Sequence, residues 1–167
     1  MREYRSGTRV ADAYRMHAFP HHYFVTTTAR PEVDTISVRS DGLPDLTTAT
    51  PVEFDGPGGR WSPETLLVAA VADCFALTFR GIAKMSKLPW LSLDCDAAGT
   101  LERPERVTRF TQFTIHARLK IPEGANADQA RRILTRAEET CLITRSLTAQ
   151  THLDLEIETV PVPVHMA

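Results

Sequence analysis

Three cysteines, Cys74, Cys95 and Cys141, are the residues of this chain best suited to covalent chemistry. They are far apart and show no CxxC or CxxH spacing, so neither a secreted disulfide framework nor a structural zinc site is indicated. A thiol attacks only as thiolate, and it gains specificity when partly desolvated beside a positive group. On its residues alone Cys74 fits two roles, a small apolar side chain in a packed helix or a nucleophile in a half-dry site. Cys95 falls on the apolar side of an alternating strand, where packing accounts for it. His17, His21 and His22 sit in an irregular N-terminal stretch with no partner carboxylate and read as surface residues, with metal binding the weaker alternative. Glu138-Glu139 and Arg131-Arg132 read as the solvated face of a helix.

The helix that would carry Cys74 has a well-marked start. Ser62 is a strong N-cap, Pro63 suits the first helical position, and Glu64 favours the positive end of the helix dipole. Leu66, Leu67, Ala69, Ala70, Val71, Phe75, Leu77, Ile82, Ala83 and Met85 make it apolar around most of its circumference, which predicts burial on several sides and an end near Lys87, before Pro89. Upstream, Asp55-Gly56-Pro57-Gly58-Gly59 reads as a loop. Before that loop, Tyr23 to Thr28 and Thr35 to Val38 are β-prone, and turn chemistry at Ser40, Asp41 and Gly42 implies a small antiparallel sheet. Downstream, Leu91, Leu93, Cys95 and Ala97 alternate with polar residues, as do Phe113, Ile115, Ala117, Leu119 and Ile121. The polar stretch from Arg103 to Arg109 would join these two strands as a hairpin. Asn126 or Asp128 caps a second helix expected to run to about Ser146 with Cys141 on its buried face, and Leu153, Leu155 and Ile157 mark a closing strand. Strands, helix, two strands, helix, strand is an α+β order.

A chain of 167 residues with 43% hydrophobic and 24% charged residues can bury a core as one domain. Residues 1–22, with four arginines among the first twenty, are expected to form an N-terminal extension to a domain over 23–167. The net charge of −2 gives no case for nucleic acid or an anionic membrane as partner. Asp73 and then Arg80 interrupt the apolar run from Leu66 to Ala72, so no membrane helix is expected. The N-terminus lacks the apolar region and cleavage site of a secretory signal, which points to the cytoplasm.

The string GRWSPETLLVAAVADCFALT, with Glu64 ten residues before Cys74 and a second cysteine in CLITRSL, resembles the osmotically inducible protein C (OsmC) family, which includes the organic hydroperoxide resistance proteins. The resemblance extends over roughly residues 23 to 160. It implies an α+β, OsmC-like fold with antiparallel sheets enclosing a long buried helix, and an intertwined homodimer with thiol sites at the subunit interface. It also implies that Cys74 is the peroxidatic thiol, Cys141 the resolving thiol, and Glu64 an assisting carboxylate. The family's thiolate-steadying arginine has three candidates, Arg30, Arg39 and Arg60, none clearly in register, and Leu142 stands where well-known members carry proline after the resolving cysteine. The activity implied is reduction of a small organic hydroperoxide through a Cys74 sulfenic acid that Cys141 converts to a disulfide. An external dithiol reductant would recycle that disulfide, with no cofactor or metal. Leu66, Val71, Phe75 and Leu77 would supply an apolar lining suited to an organic substrate.

If Glu64 serves Cys74, geometry favours a dimer. Ten helical residues rise about 15 Å and turn about 1000°, leaving the two side chains roughly 80° apart on one helix. A twofold axis that runs a second copy of the helix antiparallel would bring Glu64 of one copy to Cys74 of the other. Two further functions remain open. One is a non-enzymatic module binding a small apolar ligand at the dimer interface. The other is a different thiol enzyme, an acyl carrier or hydrolase, for which no histidine is placed as base.

Overall fold

The computed structural model describes residues 18–161, in two compact units that divide between Thr48 and Ala49. The first unit holds, but for the final residue of its third strand, a three-stranded sheet ordered β1 (Thr26–Thr28), β2 (Thr35–Arg39), β3 (Leu46–Ala49). β1 and β2 are antiparallel, with Thr27 opposite Val38. The Leu43 N–H donates to the Ser40 carbonyl at 3.1 Å, closing the anticipated turn around Gly42, whose φ of +76° suits glycine. The first strand begins at Thr26 rather than Tyr23, and Tyr23, Phe24 and Val25 are exposed.

The second unit opens with the glycine-rich loop. A side chain at Gly56 would collide with the Thr50 carbonyl, so only glycine fits there. α1 (Pro63–Met85) follows, started by a reciprocal cap in which the Thr65 N–H donates to Ser62 Oγ at 3.2 Å and the Ser62 N–H donates to Thr65 Oγ1 at 2.8 Å. At its other end Lys87 turns left-handed (φ 52°), and the Leu88 N–H donates back to the Ala83 carbonyl at 3.0 Å, burying Leu88 before Pro89.

Val71, Phe75, Phe79 and Ala83, spaced four apart, form one fully buried stripe on α1. They share a core with Phe113, Ile115, Ala117, Leu119 and Ile121 from the inner face of β5 (Arg109–Pro122). Each large side chain buried there contributes about 1.5–3 kcal/mol. Trp90 closes the core edge-on to Phe79, with ring centroids 5.4 Å apart. The helix was expected to be buried on several sides, but within this chain only the stripe is fully covered. Leu66 to Ala70 are half-buried, and Leu77 and Met85 are 56% and 69% exposed. By length and composition alone α1 would pass for a membrane span, as the core helix of a globular domain also can. It is nonetheless seated on the sheet through its stripe, with Asp73 and Arg80 exposed on its other side.

β4 (Ser92–Glu102) pairs antiparallel with β5, Cys95 opposite Ala117, through the expected hairpin. β6 (Gln150–Val160) lies on the other side of β5 and runs parallel to it, Ile115 opposite Leu153. The second sheet is therefore mixed and not antiparallel throughout, because α2 (Ala127–Thr140) and α3 (Leu142–Arg145) form the crossover that a parallel pair requires. Asn126 caps α2, its Oδ1 accepting from the Gln129 N–H at 2.9 Å. Ala130, Ile133, Leu134 and Ala137 press α2 into the same core. The sheet's outer face is solvated and carries ion pairs from Arg118 to Asp96 and from Lys120 to Glu158.

Candidate thiol site

The helix expected to continue to Ser146 breaks at Cys141, whose backbone is extended (φ −60°, ψ 119°) between α2 and α3. The Cys141 carbonyl accepts from the Arg145 N–H at 3.1 Å and from Thr144 Oγ1 at 3.2 Å, which stabilises the break. Cys141 itself is fully buried. Cys74 sits one residue before Phe75, so it is turned about 100° off the core stripe and is half-buried. These two free thiols, 67 positions apart in the chain, lie near enough for Cys74 to influence the ionisation of Cys141.

Burial raises the Cys141 pKa above the ordinary thiol value. Hydrogen bonding to Thr144 opposes the rise, and the neighbouring Cys74 adds to it. Thr144 went unnoticed in the sequence, although the spacing Cys141-x-x-Thr144 resembles a helix-start pattern and could have signalled the break.

Cys95 is on the inner face of β4, and its thiol donates to the Ala72 carbonyl on α1 at 3.8 Å. Burial first, then the charge of Asp96, pushes its pKa up to about 11. This suits the packing role expected of it.

The other anticipated residues are not gathered at the thiols. Glu64 lies ten residues back on the unbroken α1, about 15 Å along its axis. Its Oε2 is buried without a hydrogen-bond partner. The carboxyl lines a cavity of about 400 Å3 with Pro51, Phe54, Val68, Gly99, Leu101 and Phe110 among its walls. Arg60 is exposed, two residues before the cap of α1. Arg39, in the first unit, is held by Asp45 at 3.0 Å with both side chains exposed, and Arg30 is exposed in the same unit. The expected apolar lining does not form as one surface, because Val71 and Phe75 are in the core while Leu77 is exposed. Leu142 is 75% exposed. His21 stacks on Phe19 at 4.5 Å, His22 is exposed, and His17, with most of the 1–22 segment, lies outside the described residues. Among the described residues no group of three His, Cys, Asp or Glu side chains could hold a metal ion.

The family model for OsmC-like proteins matches residues 56–156, more than half of the chain and including both thiols, so this chain belongs to the OsmC-like family. It is similar to the uncharacterized protein YmaD of Bacillus subtilis (strain 168), with 22% identity over 139 residues covering 81% of this chain and 93% of YmaD. Its fold is similar to that of an OsmC-like protein of unknown function from Vibrio cholerae, with a TM-score of 0.75 at 17% identity, covering 82% of this chain and all of that one. It is also similar to an organic hydroperoxide resistance protein OsmC from Legionella pneumophila, with a TM-score of 0.66 at 24% identity, covering 87% of this chain and all of that one.

Proposed function

We propose that this protein is a cytoplasmic thiol peroxidase that reduces organic hydroperoxides. The observation that carries the proposal is the nearness of Cys74 on α1 to the buried Cys141 between α2 and α3. In the first step the Cys74 thiolate attacks the distal peroxide oxygen, the O–O bond breaks, and the alkoxide takes a proton to leave as alcohol, giving the Cys74 sulfenic acid. The Cys141 thiol then displaces hydroxide from that sulfur, forming the disulfide with loss of water. An external dithiol reduces the disulfide by two exchange steps, restoring both thiols. The raised Cys141 pKa supports this division, because a protonated thiol resists direct oxidation and survives to resolve its neighbour.

The working unit in this proposal is a homodimer. The side of α1 away from its stripe exposes Leu77 and Met85 beside the charged Asp73 and Arg80, a surface that a second copy would cover. An antiparallel partner helix would also bring its Glu64 toward Cys74 and deliver one of the candidate arginines, Arg30, Arg39 or Arg60.

Mass mapping after one equivalent of cumene hydroperoxide tests the proposal. A Cys74–Cys141 disulfide with Cys95 still reduced is the expected product, and a folded protein in which Cys74 stays a free thiol would sink it. In that case the second reading stands, a module binding a small apolar ligand, which the Glu64 cavity favours.

A further inference from the structure

The hairpin end of the second sheet departs from the pattern of the rest of its outer face. Along that face the side chains of β5 meet acidic partners. Arg118 reaches Asp96 at 2.7 Å, His116 reaches Asp154 at 3.2 Å, and Lys120 reaches Glu158 at 3.3 Å. Glu102 and Arg109 stand opposite each other as the last pair of the β4–β5 ladder, yet they do not join. Glu102 Oε2 accepts instead from the Thr111 hydroxyl, and Arg109 has no ion-pair or hydrogen-bond partner among the described residues.

A β-bulge produces this arrangement. Thr100 is opposite Gln112 and Leu101 is opposite Phe110, so Thr111 is left without a partner on β4. The slip turns the Phe110 ring inward, stacked on Phe113 with centroids 5.1 Å apart, and sends Arg109 to the outer face. There Arg109, Thr111 and Gln112 border a cavity of about 500 Å3 that Glu102, Thr148 and Gln150 complete. That volume falls in the range of small-molecule sites, roughly 300–1,000 Å3. Gln112 Nε2 donates to Thr114 Oγ1 at 3.1 Å, which fixes the amide and leaves its carbonyl oxygen as an acceptor. No cysteine and no residue of α1, Glu64 included, lines this cavity.

We propose that the cavity binds a small zwitterion of the α-amino acid type, its carboxylate on the Arg109 guanidinium and its ammonium on Glu102 and the Gln112 carbonyl. A lone anion would be set against Glu102 and a lone cation against Arg109, so a molecule carrying both charges close together is preferred to either. The guanidinium fork suits a carboxylate in two parallel hydrogen bonds. Thr148 and Gln150 offer hydrogen bonds to a polar side chain such as that of glutamine. Thr111 is a positioning residue, since its hydroxyl holds Glu102 away from Arg109 and keeps both charges available. The site goes beyond the peroxidase proposal and does not depend on thiol chemistry.

The test titrates the full chain with L-glutamine, N-acetyl-L-glutamine and L-glutaminamide by calorimetry. L-Glutamine should bind saturably with a Kd of about 1 mM or tighter. The acetylated analogue lacks the ammonium and the amide analogue lacks the carboxylate, so each should bind about tenfold more weakly. Arg109→Gln and Glu102→Gln should each weaken L-glutamine about tenfold. Thr111→Val should also weaken it, by letting Glu102 close on Arg109, and Thr111→Ser should restore it, a recovery that packing by the threonine methyl would not give. The comparison of analogues uses the wild-type chain, so it decides the matter even where a variant fails to fold. Either analogue binding as tightly as L-glutamine overturns the proposal, as does the absence of saturation by L-glutamine at about fifty times the expected Kd.

Discussion

Cys95 offers the sharpest quantitative check on how the fold controls its thiols. Its pKa is pushed up to about 11 from an ordinary 9.0, with burial against α1 the main cause and Asp96 the next. Alkylation requires thiolate, and two pKa units change the thiolate fraction about a hundredfold wherever the pH is below both values. The perturbation is to alkylate with iodoacetamide, native and in denaturant, and follow each cysteine by mass. At pH 8 Cys95 should react about a hundredfold more slowly in the native protein than in the unfolded chain, before any further slowing from poor access. The sign of the pH dependence is fixed as well. By pH 10 the unfolded thiol is almost fully ionised while the native one is about a tenth ionised, so the ratio should shrink to about tenfold. A native Cys95 that reacts within about tenfold of the unfolded rate at pH 8, or a ratio that does not narrow with rising pH, would refute the reasoning.

The remaining predictions concern the other residues. Cys74→Ser should abolish peroxide reduction, whereas Cys141→Ser should allow one oxidation and stop at a sulfenic acid or mixed disulfide, as trapping with dimedone in single-turnover runs would reveal. Glu64→Ala should slow Cys74 oxidation without preventing it, measured by stopped flow with the dithiol withheld. Phe79→Ala should cost about 3–5 kcal/mol in urea unfolding, because it empties a fully buried site that also holds Trp90. Light scattering at micromolar concentration should give the mass of a dimer, and a stable folded monomer would contradict the role given to the free face of α1.

The start of α1 was legible because three local signals coincide at Ser62, Pro63 and Glu64, and a cap is satisfied within a few residues of chain. The alternation that marks β4, β5 and β6 was legible for a similar reason, since one buried face imposes a period of two. Strand direction is not written in such a pattern, so the parallel placement of β6 emerged only from the three-dimensional path. The break at Cys141 was hidden because the apolar spacing of Ala130, Leu134, Ala137 and Cys141 continues into it, while the extended backbone is held by contacts with Thr144 and Arg145. β3 was missed because Leu46 to Ala49 is four residues long with two threonines, too short for a period to show. The nearness of Cys74 to Cys141 could be suggested only by family resemblance, as nothing in a separation of 67 residues encodes it. The unsatisfied oxygen of Glu64 was likewise invisible, since an absent partner leaves no trace in a sequence.

The one-sided seating of α1 has an evolutionary consequence. Substitutions at Val71, Phe75, Phe79 or Ala83 must fit a closed interior, and each is opposed by several kilocalories of lost packing. Positions such as Asp73, Leu77 and Arg80 meet no such demand within the chain, so they can drift or adapt to a new neighbour while the fold stays the same. The closed stripe thus fixes the fold, while the open side of the helix sets few limits on sequence.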